Sequence, residues 1–273
     1  MLQLDSSLPE NEFFRDEILD SRDPLRHLMD DSELEGIIAS DGLARPSGSL
    51  SELLTVLPQQ SQSVHDGLLT LSFAHTWPSI PSPISTSLVV DAAPGCGGLA
   101  WPAGQILASY LVQRGPDYIR GKNILELGSG TGLVGLVVGA LRDAKTWITD
   151  QAPLLPIMKQ NVSLNKLEDK VIVAELNWGS PIPADIPRPD IILAADCVYF
   201  EPAFPLLVQT LNDLSDSKNE IYFCYKKRRK ADKRFFGMLK KHFTWKEARV
   251  LDDPNRQIYN REAITLIQLF KIN

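Results

Sequence analysis

The pattern of apolar and polar residues becomes regular from about residue 123 onward, where short apolar runs alternate with longer amphipathic stretches. The runs predict strands at Asn123–Leu127, Thr146–Thr149, Val171–Glu175, Asp190–Ala195 and Glu220–Tyr225. The stretches between them predict helices over Thr131–Arg142, Ala152–Asn165, Pro202–Leu214 and Ala231–His242. Strands that alternate with helices of this length build a doubly wound parallel sheet. The uniformly apolar strands fit a sheet that is covered on both faces.

Both ends of the chain depart from this alternation. Trp245–Leu251 and Ala263–Lys271 are strand-like with no helix between them, which predicts an antiparallel pair at the sheet edge. Leu68–Ala74 and Thr86–Ala92, joined by a proline-rich link, predict a long-looped hairpin, and residues 99–115 predict an amphipathic helix. We therefore expect an α/β fold with a Rossmann-like, doubly wound seven-stranded sheet. It is mostly parallel with an antiparallel C-terminal edge strand, a hairpin-like extension at 64–96 and a partly ordered, acidic N-terminal arm at 1–63.

Composition narrows the class of protein. The 273 residues are 44% hydrophobic and 23% charged, as in an ordinary globular protein. No apolar run is long enough to span a membrane and no signal pattern begins the chain, so we expect a cytoplasmic or nuclear monomer with no membrane contact. Three widely spaced cysteines form neither a disulfide framework nor a zinc pattern, so no metal is expected. Residues 1–42 carry 12 acidic and 3 basic side chains. The remaining body is only mildly basic, and no direct nucleic-acid binding is expected.

A glycine-rich turn follows the first of the regular strands. Residues 124–136 read ILELGSGTGLVGL, so that Glu126 is followed by Gly128, Ser129, Gly130, Thr131 and Gly132 before a helix begins. Glycine is needed where the backbone turns tightly and a ligand packs directly against it. The free N–H groups at the helix start suit a polar or anionic ligand group. A plain strand-to-helix turn is the alternative interpretation.

The next two strands also end in candidate ligand-binding residues. Asp150 ends its strand 18 residues after Gly132, where a carboxylate can accept hydrogen bonds from both hydroxyls of a ribose. It could equally cap the helix predicted from Ala152. Trp178 follows the third strand, where a planar ring could lie against an adenine, or could simply be a core or lid residue.

The fourth strand ends in the sequence Asp196-Cys197-Val198-Tyr199. Ligands of open α/β sheets bind beyond the carboxyl ends of the strands. A carboxylate at this place can accept a hydrogen bond from an amine and aim its lone pair, and a tyrosine can complete a pocket for a cationic group. A loop-capping role for Asp196 is the alternative.

These motifs resemble those of class I methyltransferases, in which E/D-x-G-x-G-x-G wraps the methionine part of S-adenosylmethionine. The D-x-x-Y motif at Asp196–Tyr199 and the segment GLAWPAGQILASYL are similar to those of the family-16 protein methyltransferases, which include the methyltransferase-like 21 lysine enzymes. The resemblance covers about Gly97 to Lys271 and implies a methyltransferase domain at 97–273. It implies cofactor contacts at Trp101, Asn177 and Ala195 besides the glycine turn, Asp150 and Trp178, with Asp196 and Tyr199 as the catalytic residues. Asn177 departs from the acid that often precedes the tryptophan.

Within that family, the layout looks most like the fungal lysine methyltransferases that act on translation elongation factor 1-alpha, which implies a folded protein substrate. Two other functions stay open: a small-molecule N-methyltransferase, and a non-catalytic module that retains the cofactor fold. A DNA amino-methyltransferase is disfavoured because DCVY lacks the prolines of its D/N-P-P-Y/F/W motif. The basic stretch at residues 225–234, YKKRRKADKR, could dock an acidic partner, although a solvated strand end is the simpler interpretation.

Overall fold

The structure is a computed structural model that describes residues 66–80, 82–91, 96–141, 144–227, 232–248 and 263–272. The predicted acidic arm lies outside the described residues, as do residues 228–231 of the basic stretch.

Two strands form a hairpin ahead of the main domain. β1 (Asp66–Phe73) and β2 (Ile84–Asp91) pair antiparallel along their whole length. The predicted hairpin is confirmed, although each strand begins two residues earlier than the sequence pattern indicated. The described residues of the proline-rich link between them contain no helix or strand. Apolar residues of both strands join the core that is formed by the helices of the main domain.

After the hairpin, the described residues form helices and strands that mostly alternate, as predicted. In order they are α1 (Pro102–Arg114), α2 (Pro116–Ile119), β3 (Asn123–Leu127), α3 (Leu133–Leu141), β4 (Lys145–Asp150), α4 (Leu155–Leu164), β5 (Val171–Glu175), β6 (Ile191–Ala195), α5 (Phe204–Leu214), β7 (Glu220–Lys226), α6 (Asp232–Leu239), β8 (Phe243–Glu247) and β9 (Ile264–Lys271). Within the described residues the predicted strands and helices are confirmed, with most bounds shifted by one to three residues. Residues 142, 231 and 249–251 of these predictions lie outside the described residues. The predicted starts of α4 and α5 are short 3₁₀ turns, Ala152–Leu154 and Glu201–Ala203.

The main sheet has the strand order β5-β4-β3-β6-β7-β9-β8. β3 to β7 pair in parallel, and β9 is antiparallel to both β7 and β8. The predicted antiparallel pair at the edge is therefore confirmed. Of the pair, β9 lies next to β7 and β8 forms the edge of the sheet. This order suits their sequences, because β9 (ITLIQLFK) is the more apolar strand and is largely buried, whereas four of the five residues of β8 (FTWKE) are exposed.

Helices cover both faces of the sheet. α1 to α4 and the hairpin pack on one face, in a core that includes Ile124, Leu193 and Tyr222 of the central strands. α5 and α6 pack on the other face with the alternate residues of the same strands, such as Leu125 and Phe223. Because each central strand is buried on both sides, its sequence is mostly apolar rather than alternating, with the buried Glu126 of β3 as an exception.

A polar cluster lies at the start of β7, away from the carboxyl ends of the parallel strands. Glu220 accepts hydrogen bonds from the hydroxyls of Tyr118 and Tyr222, at 2.8 and 2.9 Å, and from Lys122 Nζ at 3.1 Å. The Arg114 guanidinium lies 3.9 Å from the centre of the Tyr118 ring. Burial raises the pKa of both tyrosines, so their hydroxyls stay protonated as donors. The cluster ties α1 and α2 to the sheet.

Candidate active site

Three strand ends that carry the predicted motifs meet at one edge of the sheet. β3 is central and pairs with β4 on one side and β6 on the other, so the strand order reverses direction at β3. In open α/β sheets the ligand site lies at such a reversal, beyond the carboxyl ends of the strands. The glycine turn after β3, Asp150 at the end of β4 and Asp196 after β6 therefore face the same space.

A cavity of about 400 Å³ occupies that space. This volume is within the range of roughly 300–1,000 Å³ that is usual for small-molecule sites. The predicted site residues that line it are Trp101, Glu126, Gly128, Ser129, Gly130, Thr131, Asp150, Trp178, Ala195, Asp196 and Tyr199. Gly132 and Asn177 are not among the lining residues, and the Asn177 amide instead donates to Glu175 Oε1 at 2.7 Å.

The glycine turn is held in place by β4 and by the chain that precedes α1. Ser129 N donates to Thr149 O at 2.9 Å, and Gly130 N donates to Asp150 Oδ2 at 2.8 Å. Gly130 has φ of 55°, and a Cβ built on it would collide with the carbonyl oxygen of Gly97. Only glycine satisfies both the positive φ and this close approach.

Asp150 has a different role from the helix cap that the sequence left open. Its two carboxylate oxygens accept hydrogen bonds from Gly130 N and Gln151 N, each at 2.8 Å. The 3₁₀ turn that follows begins after Gln151 with no side-chain cap. Burial raises the pKa of Asp150. The carboxylate thus anchors the glycine turn while lining the cavity.

Glu126 is the most deeply buried acid of the cavity wall, with 2% of its surface exposed. Its Oε2 accepts a hydrogen bond from Gly135 N at 2.8 Å. Burial raises the pKa of Glu126 to about 8, and the neighbouring charge of Asp150 acts in the same direction. A cation in the cavity would stabilise the ionised form of this carboxyl group.

Trp178 combines a packing contact with a place on the cavity wall. A Cβ on Gly128, which has φ of 60°, would lie 2.8 Å from Trp178 Cζ2 and 3.1 Å from Cys197 Sγ. The ring therefore packs directly on the glycine turn and also lines the cavity.

Asp196 has φ of 58°, a conformation that is uncommon outside glycine and is tolerated best by Asn and Asp. Its N–H donates to Cys224 O at 2.8 Å, and its Oδ1 accepts a hydrogen bond from Lys226 N at 3.3 Å. Both partners lie at the end of β7, so the neighbouring strand fixes the carboxyl group at the cavity wall. Unusual backbone conformations held by surrounding structure cluster at functional sites.

The loop after Tyr199 is tied to α6. Glu201 accepts a hydrogen bond from Arg234 Nη2 at 2.9 Å, and Arg234 Nε lies 2.6 Å from its other oxygen. This ion pair holds the turn Glu201–Ala203, whose residues Pro202 and Ala203 line the cavity.

Several lining residues escaped the sequence reasoning. Gly97 approaches Gly130 only through tertiary packing, and Leu206 reaches the cavity from α5. Leu99 and Ala100 line the cavity immediately before the predicted Trp101. Gln151, Cys197 and Phe200 lie beside predicted residues, and that adjacency was an available signal.

Two further findings concern the part of the chain that the structure describes. None of its helices combines the length and apolar character that crossing a membrane requires. No three His, Cys, Asp or Glu side chains in the same residues converge in a way that could hold a metal ion.

Comparison with known proteins agrees with this geometry. A family model described as lysine methyltransferase matches residues 85–242. Protein-lysine N-methyltransferase EFM6 of Saccharomyces cerevisiae is 40% identical over 203 residues, which are 65% of this chain and 82% of that protein. Mouse protein N-lysine methyltransferase METTL21A is 36% identical over 173 residues, covering 62% and 78%. Mouse EEF1A lysine methyltransferase 3 is 35% identical over 168 residues, covering 60% and 72%. The chain therefore belongs to the lysine methyltransferase family and is an enzyme that uses S-adenosylmethionine.

Proposed function

We propose that this enzyme methylates the ε-amino group of a lysine in translation elongation factor 1-alpha. The printed name of one mouse relative, EEF1A lysine methyltransferase 3, supports this choice of substrate. The main support for the methyl-transfer chemistry is that Asp196 and Tyr199 line the same cavity as the glycine turn.

The charges of the cavity suit a cationic cofactor. Glu126, Asp150 and Asp196 line it, and no lysine, arginine or histidine is among the described residues that do. The ionised carboxylates among these side chains repel a pyrophosphate and attract a sulfonium, and a sulfonium would also favour ionisation of Glu126. When bound, S-adenosylmethionine supplies a methyl group on a positively charged sulfur.

The chain's own residues divide into two groups in this proposal. The glycine turn and Glu126 hold the methionine part of the cofactor. The Asp150 carboxylate accepts hydrogen bonds from the ribose hydroxyls, and the Trp178 ring lies against the adenine. Trp101 and Ala195 complete the wall. These assignments rest on the strand ends from which the side chains project and on their shared cavity.

The remaining pair acts on the substrate amine. A lysine amine has a reference pKa of about 10.4, so most of it is protonated in water at neutral pH. The amine acts in its neutral form, after it has released one proton to water. The Asp196 carboxylate accepts a hydrogen bond from a remaining N–H of the amine and aims the nitrogen lone pair into the cavity, while Tyr199 forms the adjacent side of the pocket. The bonds from β7 to Asp196 fix this orientation before the substrate arrives.

Methyl transfer to purified elongation factor 1-alpha tests the proposal. The purified chain is incubated with tritiated S-adenosylmethionine and either the purified factor or a whole-cell lysate, and mass spectrometry locates the methylated residue. Asp196→Asn keeps the shape and the hydrogen bond from β7 but removes the charge, and we expect a loss of kcat of about 100-fold or more. Asp213→Asn, an exposed acid on α5, is the matched control.

Two results would contradict the proposal. Label on a different lysate protein, with none on elongation factor 1-alpha, would exclude the substrate while keeping the lysine chemistry. Label that enters only soluble metabolites would exclude the protein substrate altogether.

A further inference from the structure

The hairpin is fastened to the main domain by two asparagine side chains rather than by another strand. One edge of β2 pairs with β1, and the other edge faces α4. Asn161 Oδ1 accepts from Val89 N at 2.6 Å, and its Nδ2 donates to Val89 O at 3.1 Å. One helical turn later, Asn165 Oδ1 accepts from Ser87 N at 2.9 Å, and its Nδ2 donates to Ser87 O at 2.6 Å. A side-chain amide carries both a donor and an acceptor, so it can replace a backbone neighbour at a strand edge.

Asn161 makes a third bond that Asn165 does not make. Its Nδ2 also donates to Thr131 O at 2.9 Å, in the glycine turn. Asn165 uses its corresponding hydrogen on Asn161 O, within α4, at 2.7 Å. Asn161 is fully buried, and both of its amide hydrogens are committed. Both asparagines therefore make the same pair of hydrogen bonds to the hairpin, but only Asn161 also donates a hydrogen bond to the glycine turn.

The Thr131 carbonyl is a place where the glycine turn needs support. Thr131 is buried and lines the cavity between Gly130 and Gly132, both of which have positive φ. The preceding peptides, at Ser129 and Gly130, are bonded to β4. The Thr131 carbonyl is bonded to Asn161, while the N–H of the same peptide, at Gly132, donates to Ser129 O at 2.7 Å within the turn. The Asn161 amide therefore joins this peptide to α4 and, through Val89, to the hairpin.

We propose that Asn161 is a positioning residue for cofactor binding and that β2 is the brace that orients its amide. The hairpin then sets the shape of the glycine turn from outside the cavity, although β2 contributes no residue to the cavity wall. The inference rests on cofactor binding alone and is independent of which lysine is methylated.

Paired variants separate positioning from stability. Asn161→Ala and Asn165→Ala each remove a clamp on β2, so both lower the Tm. Loss of one hydrogen bond to the turn weakens binding of S-adenosylhomocysteine, measured by calorimetry, by about five- to tenfold in the Asn161 variant. The Asn165 variant stays within about twofold of the wild type, a shift smaller than a typical hydrogen bond contributes. An equal loss of affinity in both variants would overturn the proposal.

Hydrogen exchange in the unaltered enzyme gives a second test that does not depend on whether a variant folds. Coupling between two sites is reciprocal, so a cofactor that needs the Asn161 amide in place must also stabilise it. Saturating S-adenosylhomocysteine therefore slows exchange of the Val89 amide, which is bonded to Asn161, more than exchange of the Ser87 amide, which is bonded to Asn165. Equal slowing of the two amides, or none, would contradict the coupling.

Discussion

Replacing Glu126 by glutamine tests whether the cavity wall contains a carboxyl group that is neutral at physiological pH. The side chain is 2% exposed and accepts a hydrogen bond from Gly135 N. Burial raises its pKa to about 8. Glu126→Gln keeps the size and an acceptor for Gly135 but removes the group that titrates.

The sign of the effect follows from proton binding in the two states. In the unfolded chain a glutamate is ionised above a pH of about 4.3. The folded protein holds the proton until about pH 8. Between these values unfolding releases a proton, so the free energy of unfolding of the wild type falls as pH rises. The slope is about 1.4 kcal/mol per pH unit, which amounts to about 3 kcal/mol between about pH 5.5 and pH 7.5. The glutamine variant escapes this loss.

Urea unfolding of the cofactor-free protein measures the effect. The difference in unfolding free energy, variant minus wild type, should rise by about 3 kcal/mol over that pH interval. Glu168→Gln is the control: this residue is exposed, and hydrogen bonding to its own backbone lowers its pKa, so it is ionised throughout the interval in both states. A difference for Glu126→Gln that stays flat with pH would refute the reasoning.

Three further predictions concern separate contacts. Gly130→Ala should weaken S-adenosylhomocysteine binding more than tenfold, because the new Cβ would collide with Gly97 O and an alanine in the left-handed conformation costs about 1–2 kcal/mol. Near-native affinity in calorimetry would contradict the close contact between Gly130 and Gly97. Glu220→Gln should lower the free energy of unfolding by about 1–3 kcal/mol at neutral pH. Burial alone would raise the pKa of Glu220, but hydrogen bonds from two tyrosines and a lysine lower it. The difference in unfolding free energy between variant and wild type, measured by urea titration, should therefore shrink as the pH falls through that pKa. Arg234→Met should raise KM for the protein substrate by a larger factor than it weakens cofactor binding, because Arg234 holds the turn that follows Tyr199, on the side of the cavity proposed for the amine. Weaker cofactor binding with an unchanged KM would contradict this.

The elements of the fold were predictable because each one obeys a local rule. The buried strands are mostly apolar, as β3 and β6 show, and a helix such as α5 has the period of an amphipathic helix. The order of the last two strands was not predictable in this way. β8 and β9 both have strand-like sequences, and only competition for the inner position beside β7 placed the more apolar strand there.

The strand-end motifs of the candidate site were likewise visible in the sequence. A parallel sheet brings the carboxyl ends of its strands to one edge, so Asp150 and Asp196 could be expected near the glycine turn. The position of Asn177 could not. The family resemblance implied a cofactor contact for Asn177, but its amide donates to Glu175 instead.

The sequence by itself determined the alternation of elements, the class of fold and the residues at the strand ends, because these depend on burial and on chemistry within a few positions. The tertiary structure alone decided that Gly97 closes over Gly130, that Arg234 holds Glu201 and that Asn161 joins the hairpin to Thr131. Each of these contacts joins residues about 30 or more positions apart. The sequence around each residue is compatible with its own helix, turn or loop whether or not the contact forms, so local sequence does not predict the contact. Only packing of the whole chain selects among such pairings.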